Sequence, residues 1–442
     1  MLPRLSSPVR ARPFQRFSQT EAAGGVLLLL SATLALALAN SPWSGAYEHL
    51  WSAPVTLSLP NRQLSLTLHQ WINDGLMAVF FLLVGLEIKR QLVAGELSSP
   101  RQAALPIAGA LGGMILPAAI YLGLNSSGPA VRGWGIPMAT DIAFAMGALA
   151  LVAPKLPVGA KVFLTALAIV DDMGAVIVIA LFYTAAVDGT ALGFAALAFL
   201  GLVALNLMRV QRLTPYLALG VVLWFFVHQS GIHSTIAGVV LALTIPTRTR
   251  INAAEFSAEA RTLLDEFDRT ETGDLLTLTS KGQQDALFSL GYASKGVIAP
   301  LQRLEHALHG VSAFVIMPLF AFANAGITIG TSALDWRVVL GIVLGLMAGK
   351  PLGIFGAARA AVAAGGAALP NNVRWNTLHG CSWLGGMGFT MSLFIATLAF
   401  EQTRLLDSAK VGILAGSILA GAVGAALLRA EGHGRPATKT GS

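Results

Sequence analysis

Twelve candidate membrane spans, apolar runs of up to about 24 residues, recur along this chain. They lie at roughly 22–40, 71–88, 103–123, 134–153, 160–183, 190–207, 214–229, 231–246, 312–330, 338–358, 377–400 and 408–428. A helix of about 20 apolar residues spans the ~30 Å hydrocarbon core. In that medium every backbone polar group must pair within a helix or a closed barrel, and these runs are too long for alternating barrel strands. The fold class expected is therefore an all-α polytopic membrane protein with about 12 transmembrane helices. Composition agrees: 55% of residues are hydrophobic and only 12% charged, against about 25% charged in a soluble domain. The single cysteine, Cys381, excludes an internal disulfide framework and a Cys-based metal cluster.

The basic pI, near 9.8, points to membrane orientation and not to nucleic acid. With the N-terminus inside, 23 Lys and Arg residues fall on the cytoplasmic side, five outside and one within a span. The positive-inside rule then places both termini in the cytoplasm. Residues 1–20, with Arg4, Arg10, Arg12 and Arg16 and no acid before Glu21, read as a basic cytoplasmic tail. Pro3, Pro8 and Pro13 argue against the amphipathic helix of a transit peptide. The membrane domain is expected over 21–430, with a second cytoplasmic tail at 431–442. Residues 55–68 alternate apolar and polar side chains around Pro60-Asn61-Arg62, which predicts an external β-hairpin. Residues 247–310 form a long polar cytoplasmic loop. In it, Phe256, Leu263, Leu264 and Phe267 have helical spacing, predicting a short surface helix followed by a flexible segment.

Few ionisable residues lie deep within the spans: Asp141, Asp171, Asp172 and Lys350. Asp171 and Asp172 are adjacent near the centre of an apolar helix, where one charged Asp costs at least ~2.5–3.5 kcal/mol. Such residues must face a polar cavity and bind a proton, a cation or a lysine. Three acids and one base, all ionised, lack two positive charges. Protons or a metal cation can fill that deficit on the same oxygens, which is the physical requirement for exchange. Neighbouring helical residues point about 100° apart. One of the pair should therefore face the ion pathway and the other an adjacent helix, where Lys350 is the expected partner.

Three of the spans carry signs of interruption. Gly135 and Pro137 precede Thr140-Asp141 in the fourth; Pro351 and Gly353 follow Lys350 in the tenth; Gly385, Gly386 and Gly388 precede Thr390 in the eleventh. The fourth and eleventh spans also align weakly, 140–144 against 390–394. Broken helices at matching places in two halves point to a midplane ion site and an inverted repeat.

At these residues the chain resembles the NhaA-type sodium/proton antiporters. The segments that carry the resemblance are 71–90 (Trp71-Ile72-Asn73-Asp74 through Glu87-Ile88-Lys89-Arg90), 139–144 (Ala139-Thr140-Asp141 onward), 166–172 (ending Asp171-Asp172), 230–238 (with Gly231-Ile232-His233-Ser234-Thr235), 318–326 (with Phe322-Ala323-Asn324) and 349–353 (Gly349-Lys350-Pro351). They reach across almost the whole membrane region.

The resemblance implies inverted-topology repeats with two broken crossing helices, spans 4 and 11. It implies Asp172 as the main Na⁺ and proton ligand with Asp171 beside it, Asp141 and Thr140 at the crossing, and Lys350 paired with Asp171. It further implies electrogenic, pH-regulated exchange of Na⁺ or Li⁺ for H⁺ by alternating access in the bacterial inner membrane. No enzymatic activity and no cofactor are implied. A homodimer contact is expected at hairpin 55–68. A cytoplasmic pH-responsive group would comprise Glu87, Arg90, Glu305, His306 and His309. Two departures bear on its pH range: Gln91 stands where an acid is expected and Gln302 where a Lys is expected. The competing classes are a passive cation channel, another proton-coupled cation transporter, and an intramembrane aspartyl enzyme. The last needs facing acids on separate elements, whereas Asp171 and Asp172 are consecutive.

Overall fold

The computed structural model describes residues 13–59, 62–154, 156–184, 187–269, 281–328, 334–370, 372–400 and 403–433. The expected tails therefore fall largely outside the described residues, as do the hairpin turn at 60–61 and residues 270–280 of the long loop. The chain is mostly helical. Seven helices are long and apolar enough to cross a membrane: Leu68–Ala94, Pro100–Leu124, Val158–Phe182, Gly189–Leu207, Pro300–Asn324, Trp336–Ala363 and Arg404–Glu431. Three bent helix pairs raise the candidate spans to ten.

Leu213–Gln229 and Thr235–Thr244 are apolar but shorter. The apolar run at 231–246 does not form one helix over its whole length. Gly231 sits at φ 79°, a left-handed conformation that turns the chain before the helix starts at Thr235.

The long spans at the periphery bury one face and present the other outward, whereas Phe389–Ala399 has no exposed residue. In Val158–Phe182, Leu164, Leu167, Asp171, Ala175 and Ile179 are buried, while Ile177, Leu181 and Phe182 are exposed. Small residues set the closest crossings. A side chain on Gly112 would meet the carbonyl oxygen of Gly353, and one on Gly353 would meet that of Gly112. The Pro100–Leu124 and Lys350–Ala363 helices thus touch backbone to backbone, as small-residue contacts allow in membranes. Gly238 sits equally close to the Ala78 carbonyl, joining Thr235–Thr244 to Met77–Ala94. A π-helical turn, Gly345–Gly349, precedes Lys350. Pro351 has no N–H to give to a preceding carbonyl, so the helix widens there.

Outside the spans, strands Pro54–Leu59 and Arg62–Thr67 pair antiparallel, from Pro54 opposite Thr67 to Leu59 opposite Arg62. The 247–310 segment departs from the expectation of one short helix and a flexible remainder. Helix Ala253–Arg269 opens on a reciprocal cap between Asn252 and Glu255. A second helix, Lys281–Val297, packs against it. The following helix starts at Pro300, so the ninth span begins about a dozen residues before the apolar run at 312.

Candidate ion site at the helix crossing

The fourth and eleventh apolar runs are each two half-helices. Pro129–Met138 and Ile142–Val152 meet at 40°, and Trp375–Leu384 and Phe389–Ala399 at 44°. Breaking a helix frees its terminal N–H and C=O groups, and in a membrane interior these must find partners. Here each break supplies the other. Asp141 N donates to Met387 O at 2.7 Å, Thr140 Oγ1 to Gly385 O at 2.8 Å, and Ser392 Oγ to Ile136 O at 2.7 Å.

The two side chains of opposite charge at the crossing match the local backbone dipoles. Asp141 caps two helix N-termini. Its Oδ1 accepts from Phe144 N at 3.0 Å, and its Oδ2 accepts from Thr390 N at 3.1 Å and from the Thr390 hydroxyl. An anion is favoured there by the partial positive charge of both half-helices. Lys350 Nζ donates to the carbonyl of Met138, at the end of the other half of the fourth run, and to Asp171 Oδ2 at 2.6 Å. Thr140, Asp141, Asp171, Asp172 and Lys350 are all buried.

What remains is a pair of unsatisfied acceptors. Among the described residues, Asp171 Oδ1 and Asp172 Oδ1 are buried without a hydrogen-bond partner. A buried acceptor left unpaired costs about 1–3 kcal/mol, and more if charged. Asp171 is already held by the lysine, so Asp172 is the carboxylate with most to gain from a proton or a small cation. Aromatic packing flanks the crossing. Phe394, one turn beyond Thr390, has its ring centroid 5.4 Å from that of Phe81 and 5.5 Å from that of His233. His233 is thus packed edge-on against a ring, with Nδ1 3.1 Å from Thr235 Oγ1.

The second expected group also comes together. Arg90 Nε lies 3.0 Å from Glu305 Oε1. Glu87 is half-buried one turn before Arg90 and lies within electrostatic reach of both Arg90 and Glu305. His306 lies within electrostatic reach of Glu305 and His309. Gln91 serves the local backbone. Its Oε1 accepts from Glu96 N at 2.9 Å and closes the turn after the helix. Gln302 is exposed.

Thr390 and Ser392 are visible in the sequence only as polar residues after a glycine-rich break. Their partners, the carboxylate of Asp141 and the carbonyl of Ile136, lie about 250 residues away along the chain. The carbonyls of Met138, Gly385 and Met387 carry no sequence signal at all.

A family model described as Na⁺/H⁺ antiporter 1 matches residues 15–428. The Na(+)/H(+) antiporter NhaA of Oleidesulfovibrio alaskensis is 49% identical over 97% of this chain and 96% of its own length. That of Koribacter versatilis is 46% identical over 94% of this chain and 91% of its own. That of Acidithiobacillus ferrooxidans is 48% identical over 93% and 96%.

Proposed function

Because the chain belongs to the NhaA family of sodium/proton antiporters, and so exchanges Na⁺ for H⁺ across a bacterial inner membrane, we propose that Asp172 and Asp171 are the site where the two ions compete. The protein is a transporter, not an enzyme. The observation that carries the site assignment is the unpartnered Oδ1 of Asp172 beside an Asp171 pinned by Lys350. Na⁺ or Li⁺ binds to carboxylate oxygens stripped of protons. Protonation turns one of those oxygens into a donor and removes the charge, so cation and proton exclude each other.

The remaining assignments follow from the family likeness. The bent runs 129–152 and 375–399 act as the two crossing helices of an inverted repeat. Counting the two shorter apolar helices gives twelve crossings, with both termini in the cytoplasm. Alternating access exposes the Asp171/Asp172 site to one side at a time. Exchange is electrogenic, with more protons moving one way than Na⁺ ions the other. Glu87, Arg90, Glu305, His306 and His309 set its pH response, and the 54–67 hairpin forms a homodimer contact.

Dye-monitored proton flux in everted vesicles tests this reading. Adding Na⁺ or Li⁺ should release protons from acidified vesicles, and collapsing the membrane potential should change the rate. Cation entry without proton movement would establish a passive channel instead. A rate indifferent to membrane potential would refute the electrogenic stoichiometry.

A further inference from the structure

A polar cluster apart from both the crossing and the cytoplasmic group ties the start of the Leu68–Ala94 span to the end of the Pro300–Asn324 span. Its hydrogens can be placed one after another from the donor and acceptor chemistry. Asn324, fully buried, donates through Nδ2 to Phe320 O at 3.0 Å. A carbonyl only accepts, so the Asn324 amide can sit only one way round. The same Nδ2 donates to Asn73 Oδ1 at 2.9 Å, which fixes the Asn73 amide in turn. Asn324 Oδ1 then faces His69 Nε2 at 3.0 Å, so Nε2 carries a hydrogen. Asn73 Nδ2 lies 3.4 Å from each ring nitrogen of His69. The cluster is therefore complete only around a neutral imidazole. A protonated ring has N–H groups at both nitrogens and turns positive charge toward the Asn73 amide hydrogens. Turning that amide over would give the ring an acceptor, but would set Nδ2 of Asn73 against Nδ2 of Asn324 and remove the 2.9 Å bond. A charged His69 and the Asn73–Asn324 bond exclude each other.

We propose that His69 is a proton-operated latch on the external face: neutral, it leaves Asn73 free to tie the two spans together, and charged by external acid it releases them. His is the side chain whose charge changes between about pH 5 and 8, and His69 is only half-buried, within reach of water. Other charges around the ring are few. Asp74 and Lys410 act on it with opposite sign. Ser234 Oγ holds Asp74 Oδ1 at 3.0 Å, and Lys410 Nζ donates to Gly326 O at 3.2 Å. Helix Met317–Asn324 has no ionisable side chain. Helix Ser44–Ser52, packed beside the start of the span, exposes Glu48 and His49 to water and commits the Tyr47 hydroxyl to Phe322 O. Strand Arg62–Thr67 adds only Arg62, at its far end.

Packing connects the latch to the ion site. Asn73 sits in a π-helical turn, Trp71–Leu76, a widened geometry that recurs at functional sites. Phe81, two turns further along that span, and Phe320, one turn before Asn324, both rest on Phe394 of the crossing, with ring centroids 5.4 Å and 6.1 Å from it. Releasing the tie lets these rings part on the external side of Asp172 when protons are abundant outside. The external placement and this consequence rest on the exchange reading; the mutual exclusion at His69 does not.

Amide hydrogen exchange of the purified full-length chain in nanodiscs, read by mass spectrometry from about pH 8 to about pH 5 and corrected for the chemical exchange rate, tests the latch. Segments 68–81 and 317–327 should exchange about fivefold faster on the acid side, the factor that one hydrogen bond of about 1 kcal/mol predicts. His69→Gln keeps an N–H for Asn324 but does not titrate, and should exchange slowly throughout. His69→Lys carries a fixed charge and should exchange fast even at about pH 8. His49→Gln, at an exposed position, should respond as wild type does. So should Asp172→Asn, because the latch needs no working exchange site. An undiminished acid response in His69→Gln, or slow exchange in a folded His69→Lys near pH 8, would overturn the proposal. The glutamine variant alone decides it if the lysine variant does not fold. The readout needs no ion flux, so its failure is separate from failure of the exchange reading.

Discussion

Asp171–Lys350 and Arg90–Glu305 are built from the same chemistry at similar separation, 2.6 Å and 3.0 Å. Their surroundings differ. The first pair is 2% and 0% exposed; in the second, Arg90 is 42% exposed and Glu305 16%. Burial decides what each can do. Away from water, a charge that loses its partner is left uncompensated, and removing one member of a buried pair costs about 3–5 kcal/mol. At the surface, water and salt replace most of what the partner gave, and such pairs contribute about 0–1 kcal/mol. A buried pair therefore forces a coupled choice between proton, lysine and cation. An exposed pair can adjust a response without being required for it. The exchange site should respond to substitution by all or nothing, and the cytoplasmic group by degree.

The largest effect tests the first half of that contrast. Asp172→Asn keeps the shape of the side chain and removes both the proton site and the charge. It should reduce Na⁺-driven proton flux in everted vesicles to background, with expression and thermal midpoint near wild type. Flux close to the wild-type rate would remove Asp172 from the centre of the mechanism. Lys350→Ala ranks next. It strands the Asp171 carboxylate and the Met138 carbonyl, both bonded to Nζ, and should lower stability by about 3–5 kcal/mol together with activity. Lys350→Arg keeps the charge with a different donor geometry and should lie between. An Ala variant with the wild-type thermal midpoint would mean that the pair does not hold this crossing together.

The two groups are also unequally legible in the sequence. Ionisable residues in apolar runs are so costly that Asp141, Asp171, Asp172 and Lys350 announce themselves, and charge counting brings Lys350 to the acids. What completes the crossing is backbone: the carbonyls of Met138, Gly385 and Met387 become ligands only because two helices break opposite each other. The glycines and prolines mark where each helix breaks, but no residue type encodes which carbonyl meets which donor. The insertion is less legible for a different reason. Helix Lys281–Val297 buries Gln283, Ala286 and Ala293 and exposes Leu287, Phe288 and Tyr292. A search for apolar periodicity looks for the reverse arrangement. The apolar run at 231–246 starts as helix only at Thr235, because left-handed Gly231 turns the chain before it.

Competition between ions sharpens the contrast on the pH axis. If Na⁺ and H⁺ exclude each other at Asp171 and Asp172, raising Na⁺ holds the site against protons. The acid-side fall in activity must then move to lower pH. For a tenfold rise in Na⁺ the midpoint should drop by about one pH unit if one proton is displaced, and by about half a unit if two leave together. These midpoints belong to the coupled pair and not to either residue. Solid-supported-membrane currents at several Na⁺ concentrations give the shift directly. A midpoint that stays fixed would reject competition at the site and assign the pH dependence to a separate gate.

The smallest effect belongs to the cytoplasmic group and completes the comparison. Glu305→Gln removes one charge from the Arg90 contact while keeping the side chain's size. The Arg90 side chain is 42% exposed although its Nε is buried, so water can solvate most of the guanidinium and the stability loss should be about 1 kcal/mol, well below that of Lys350→Ala. The variant should still require Asp172, since nothing at Glu305 touches the crossing. Its pH profile should nevertheless move. The Arg90 contact holds Glu305 beside Glu87, so Glu87 is the residue through which the change should be felt. The same vesicle assay reads both quantities, and the double variant Glu87→Gln/Glu305→Gln separates them: without Glu87 the shift should vanish. A shift that persists in the double variant would mean that Glu305 acts on the site by another route. A stability loss as large as that of Lys350→Ala would mean that burial is not what distinguishes the two pairs.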